Sequence, residues 1–184
     1  MNNLSRALLA GSGVAFALFP LLRPWSDKTA PPAGMAVSFA DPLWIVAHSL
    51  GAAGFVLFAA GLVVRAGESR SGRLAAWLAG AGAALVLPFF GAETFGLAAV
   101  AGTVAPDQVP ALADAVRNGP VALGSFALGL LAVAASGVVV AVERWRSGAR
   151  RWAGLPLALG LATYLPQFFL QPVGRITHGL LLLA

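Results

Sequence analysis

The chain has no cysteine, a single tyrosine, two methionines, two histidines and seven acidic residues among 184. Without cysteine there is no disulfide, thiolate metal site, iron–sulfur cluster or covalently attached c-type haem. Charged residues of either sign make up only 10% of the chain, against 59% hydrophobic. A soluble domain carries about 25% charged and about 45–50% apolar residues. So few charges cannot keep that much apolar surface in water, and an ordinary soluble globule is excluded.

What the chain does have is long apolar runs, with a mean hydropathy of +0.83. Crossing ~30 Å of hydrocarbon takes about 20 apolar residues in a helix. Six segments qualify as candidates, near 7–22, 43–64, 74–101, 120–142, 153–171 and 173–184. The expected fold is therefore all-α, a polytopic transmembrane helical bundle of five to six spans forming one domain over 1–184. The connectors carry the Pro, Gly, Asp and Arg of loops. Arg6 ahead of an apolar run resembles a signal peptide, but no small-x-small cleavage site precedes Arg23, so the segment reads as a retained first helix. The sixth segment, about 18 Å long as a helix, is short for a crossing. It reads best as the last helix of a shortened six-helix bundle. One long broken helix over 153–184, or a terminus inside the bilayer, are the alternatives.

The net charge of +5 and pI near 11.4 do not point to nucleic acid, because the arginines sit in short loops between apolar runs. That is an orientation signal. One set of loops holds Arg6, Arg65, Arg70, Arg73, Arg144, Arg146, Arg150 and Arg151; the other holds Arg23, Lys28, Arg117 and Arg175. The richer set belongs inside, which makes the N-terminus cytoplasmic and turns the 23–42 and 102–119 loops outward. Trp25 and Trp44 then fall at the outer boundary, and Trp77, Trp145 and Trp152 at the inner one, as an aromatic belt requires. Arginine over lysine, with much Ala, Gly and Val, looks like a GC-rich genome, and the expected location is a bacterial plasma membrane. The 102–119 loop contains a stretch suited to a short amphipathic helix lying at the surface. Pro88 and Pro166 interrupt segments three and five at comparable depth, which is too little to establish an internal repeat.

Ionisable residues inside a span are costly and carry a functional hypothesis by default. Glu93 is the one acid well inside a span, within the stretch from Pro88 to Gly96, while Asp27, Asp41, Glu68, Asp107, Asp114 and Glu143 fall in loops or at helix ends. His48 and His178 both lie in apolar segments, and Arg175 precedes His178 by three positions, on the same helical face. At ~1.5 Å per residue, Glu93, His48, His178, Arg175, Tyr164, Gln167 and Gln171 share one layer in the outer half. Phe89, Phe90, Phe95 and Phe168 are placed to line an apolar pocket beside them, and Gly91 and Gly96 to admit a neighbour or ligand.

This layer suggests acid–base chemistry on, or binding of, a lipid-soluble small molecule such as an isoprenoid or lipid, toward the extracytoplasmic side. In that reading the chemistry is cyclase- or isomerase-like. Glu93 is the catalytic acid, His48 and His178 are proton partners, and Arg175 holds an anionic group. Membrane lipids are the expected partners, and the sequence leaves any cofactor undetermined. Two other classes stay open. A pair of histidines could ligate haem, or His48, His178 and Glu93 a divalent metal, although no HExxH or EF-hand spacing is present. A proton-coupled carrier or a non-catalytic scaffold is the third class. The same residues also have a plain structural reading, in which Glu93 pairs with Arg175 and the histidines donate to backbone carbonyls.

Overall fold

Helix starts are set by short polar side chains and prolines. The computed structural model describes residues 2–67, 69–148 and 151–183, so Glu68, Arg150 and Ala184 lie outside the described residues. Asn2 caps α1 (Asn3–Leu22) by accepting from the amide of Ser5. Two short helices follow, α2 (Ser26–Thr29) and α3 (Ala33–Ala40). Asp41 then caps α4 (Pro42–Ala66), which has Pro42 in its first turn where no amide donor is needed. Ser69 caps α5 (Arg70–Gly91).

Beyond α5 the backbone widens into a π-helical turn, Ala92–Gly96, before α6 (Leu97–Thr103). The apolar α-π-α run from Arg70 to Thr103 is a single rod. Next come α7 (Val109–Asn118) and α8 (Pro120–Arg146). The tail comprises a 3-10 turn at Arg151–Gly154, α9 (Leu155–Ala162), a second 3-10 turn at Pro166–Phe169 and α10 (Pro172–Leu181).

Among the described residues four helices are long and apolar enough to cross a membrane: Asn3–Leu22, Pro42–Ala66, Arg70–Thr103 and Pro120–Arg146. They match the first four segments expected from hydropathy. The fifth and sixth do not form full-length helices. The hydroxyl of Thr163 bonds back to the carbonyl of Leu159, and Pro166 and Pro172 each lack an amide donor. The tail is therefore cut into an eight-residue α9 and a ten-residue α10, about 12 Å and 15 Å long. α10 turns back on α9, with His178 meeting Gly160 and Arg175 meeting Gln167, so one long broken helix is not formed and the reading of a short separate last segment is the closest to what is found.

The elements pack in a ring. α1 lies on α4, α4 on α5, α5 on α8 and α8 on α9, and α10 returns to close against α1. Small residues permit the close approaches. A Cβ on Gly54 would lie 2.7 Å from the Phe16 ring, and one on Gly82 would lie 2.7 Å from the carbonyl oxygen of Gly129. Hydroxyls add specific links, with Ser5 donating to the Gly61 carbonyl at 3.0 Å and Ser12 to that of Gly54 at 2.8 Å. The main core holds Phe16, Phe55, Phe90, Phe126 and Tyr164. A second cluster of Phe39, Trp44, Leu97, Val109 and Ala113 ties α3 and α7 over one end of the bundle. That covered end contains the site.

Candidate functional site

The covered end gathers charge from five elements. Glu93, in the π turn, receives both Nε and Nη2 of Arg117, at 2.6 and 3.0 Å. This is the two-pronged geometry of a strong guanidinium–carboxylate pair. Arg117 reaches in because Val109, Ala113 and Arg117 recur every fourth residue on one face of α7, and the first two are buried against α3 and Leu97. Its Nη2 also lies 3.7 Å from Asp27. Asp27 is buried and held by both terminal nitrogens of Arg23, at 2.8 and 2.7 Å, four residues earlier in the chain. Arg23 stacks over Trp25 and Trp44, and Arg117 over Phe39.

His48 lies one turn below Trp44 on α4. Its Nδ1 is 2.8 Å from the main-chain oxygen of Trp44. A carbonyl only accepts, so Nδ1 carries the hydrogen and the neutral ring keeps its lone pair on Nε2. That atom faces Glu93 Oε2 at 3.9 Å, beyond hydrogen-bond reach. The indole of Trp44 meanwhile donates to the main-chain oxygen of Glu93 at 2.7 Å. The π turn exposes a carbonyl, and a tryptophan from the next helix satisfies it. Such turns concentrate at functional positions.

These groups border a cavity of about 170 Å³. Arg23, Lys28, Arg117 and Arg175 line it together with Glu93 and His48, and Phe19, Phe89, Phe90, Phe126 and Phe168 form much of its apolar wall. Leu123 on α8 and Phe169 in the second 3-10 turn also border it and are exposed, which opens an apolar side of the cavity between those two elements; Lys28 and Asn118 border it and are exposed too. Outside the spans, the charges tune one another. Burial pushes the Asp27 carboxyl up, but the Arg23 hydrogen bonds together with the positive charges of Arg23, Arg117 and Lys28 outweigh it and hold the group below its usual value. Burial likewise opposes charge on Arg117, and the Glu93 carboxylate outweighs it, pushing the guanidinium further up. Desolvation and repulsion from Arg117 hold the Lys28 ammonium below its usual value, even though much of that side chain is open to solvent.

Several expectations from the sequence are met, and others need correction. Glu93, His48, Arg175, Phe89, Phe90 and Phe168 do meet at one cavity. His178 does not join them. Its Nε2 bonds the Gly160 carbonyl at 2.8 Å and lies 3.1 Å from the Thr163 hydroxyl, beside a separate void of about 10 Å³. Tyr164 is core, packed on Phe16 and Phe55. Gln167 is buried as well, and accepts from Arg175 Nε at 3.2 Å. Gln171 is an exposed residue preceding α10, and Phe95, 62% exposed, faces away from the cavity. The Glu93–Arg175 pair is not formed, since Arg117 takes that carboxylate. Trp44 is fully buried beneath two arginines rather than placed in a boundary belt.

The metal reading loses its geometry in the same way. No group of three His, Asp or Glu side chains assembles among the described residues, and the two histidines border different voids. The arginines around His48 would also repel a cation. Arg117, Asp27 and Arg23 escaped the reading of the sequence because they looked like loop charges. The spacing of Arg117 with Ala113 and of Arg23 with Asp27 was the available signal. No family model, curated protein or solved structure matches the chain.

Proposed function

We propose that this chain is a multi-pass membrane protein that binds a lipid-soluble small molecule, such as an isoprenoid or lipid, in the cavity at its covered end. The observation that carries this reading is the make-up of that cavity. Charged groups from the end of α1, α2, the π turn, α7 and α10 converge on one side of it, and phenylalanines face them. That division matches a ligand with a polar head and an apolar body. At about 170 Å³ the void is smaller than a typical ~300–1,000 Å³ ligand pocket, so it holds the head and first carbons of the ligand. The remainder leaves through the mouth between Leu123 and Phe169, toward lipid.

The acid–base role falls to His48. Its Nε2 lone pair borders the cavity, whereas both oxygens of Glu93 are taken up by Arg117. Glu93 then serves as the charged partner that would stabilise a protonated His48. The excess of arginine in the loops at the other end supports an extracytoplasmic position for the covered end, in a bacterial plasma membrane.

Native mass spectrometry of gently extracted protein tests the binding reading. A discrete lipid-sized adduct on the wild type, lost in His48→Ala or Glu93→Gln protein that remains folded, supports it. An adduct-free mass after incubation with extracted membrane lipids overturns it.

A further inference from the structure

The charges at the cavity do not balance. Four cationic side chains border it, and the two carboxylates within their reach are already engaged. Arg117 is bound to Glu93 through two contacts and Arg23 to Asp27 through two. Among the described residues, Arg175 and Lys28 have no carboxylate partner. The one other acid nearby on α7, Asp114, is exposed and accepts from Asn118 at 2.6 Å.

Arg175 is nevertheless built in. It is 4% exposed and held between the rings of Trp25 and Phe168, with its carbon 4.9 and 4.8 Å from their centroids. Its Nε is spent on Gln167, which leaves the two Nη groups without a protein acceptor among the described residues. Arg23 adds a second unmet donor, since its Nε is buried and unpartnered among the described residues. A buried guanidinium donor without an acceptor is costly; Arg23 Nε is one such donor, and the Arg175 Nη groups beside it border the cavity without a protein acceptor among the described residues, which together indicate a missing anionic oxygen.

Resting on the lipid-soluble reading above, we infer that the head group held here is a phosphate ester, gripped by Arg175 and Lys28 with Arg23 behind them. A carboxylate supplies one charge and two oxygens, and would leave one of the two surplus cations at the cavity without a counter-charge. A phosphate monoester carries about −1.5 to −2 at pH 7 and three terminal oxygens. It neutralises both cations and has enough lone pairs for Arg175 Nη, Lys28 Nζ and the unmet Arg23 Nε–H. The planar fork of Arg175 suits phosphate geometry, and Lys28 acts as a point charge. The apolar chain of the ester then runs past Phe89 and Phe126 to the mouth.

The test is a binding titration of detergent-purified full-length protein with four probes: dodecyl phosphate, dodecanoate, dodecanol and inorganic phosphate. Dodecyl phosphate is expected to bind about tenfold or more tightly than dodecanoate, and more tightly still than dodecanol. Arg175→Met and Lys28→Met should each weaken dodecyl phosphate about tenfold and leave dodecanol unchanged. Lys28 is exposed, so its variant tests the inference even if Arg175→Met fails to fold. Equal binding of dodecyl phosphate, dodecanoate and dodecanol overturns the phosphate inference and leaves the lipid pocket standing. Inorganic phosphate binding as tightly as dodecyl phosphate supports the phosphate site but assigns it to a free anion, which overturns the lipid-soluble reading. Binding of none of the four overturns both.

Discussion

Trp44 and Glu93 are tied through the main chain rather than through the acid. The indole Nε1 donates to the Glu93 carbonyl oxygen at 2.7 Å, across the interface of α4 with the π turn. The same tryptophan offers its own carbonyl to His48 at 2.8 Å. One residue therefore touches both polar residues at the cavity, Glu93 through its side chain and His48 through its main chain.

Replacing Trp44 by Phe keeps a ring beneath Arg23 and Arg117 but removes the donor. The Glu93 carbonyl is then buried without a partner, which costs about 1–3 kcal/mol. A lowered thermal midpoint in detergent, with weaker ligand binding, is the expected result. An unchanged midpoint would mean that the π turn does not need the indole.

A double-mutant cycle separates the pair that forms from the pair that the sequence suggested. Breaking a fully buried ion pair costs about 3–5 kcal/mol. The partial exposure of Arg117 reduces that to about 2 kcal/mol for Glu93→Gln. Coupling between Glu93→Gln and Arg117→Met in denaturant unfolding should reach at least about 1 kcal/mol. The cycle of Glu93→Gln with Arg175→Met should show a smaller coupling; a larger one would contradict the pairing described.

Acid should loosen the covered end. The folded-state pKa of Asp27 lies below the ordinary 3.8, so its contribution is fully present above that value. It is lost as pH falls through the depressed value. Thermal midpoints scanned from about pH 6 down to about pH 2 should drop steeply in the acid limb, and Asp27→Asn should flatten that limb while lowering the midpoint at neutral pH.

The two histidines should separate by function. His178→Ala removes bonds to Gly160 and Thr163 and should cost about 1 kcal/mol of stability with ligand affinity retained. His48→Ala should remove the acid–base group and change affinity or turnover with a smaller effect on folding. Ligand titration beside thermal unfolding of both variants distinguishes the roles, and identical behaviour of the two would refute them.

Four helices long and apolar enough to cross a membrane, and a polar layer, were legible in the sequence, because hydropathy counts apolar residues over a crossing length and depth follows from helical rise. The same count failed at 153–184. Apolar content cannot register that Pro166 and Pro172 lack donors or that Thr163 competes for the backbone, so the segments expected at 153–171 and 173–184 became two short helices of eight and ten residues. Reading the loops for orientation alone also hid chemistry. Arg23, Lys28 and Arg117 were counted as topology signals, yet each borders the cavity.

The sequence by itself determined that the chain forms helices long and apolar enough to cross a membrane, that Glu93 and His48 share a level along them, and that phenylalanines accompany them, since all three follow from composition and a fixed rise per residue. Only the tertiary structure decided the partners. Which cation meets Glu93 depends on how α7 folds over the bundle end, and that is set by burying Val109 and Ala113 against Phe39, Trp44 and Leu97. Arg117 is delivered to the carboxylate by that packing, and Arg175 is left with its donors facing the cavity. Pairing of charges is a property of distance in space, and residues 93 and 117 become neighbours only when the chain between them turns back.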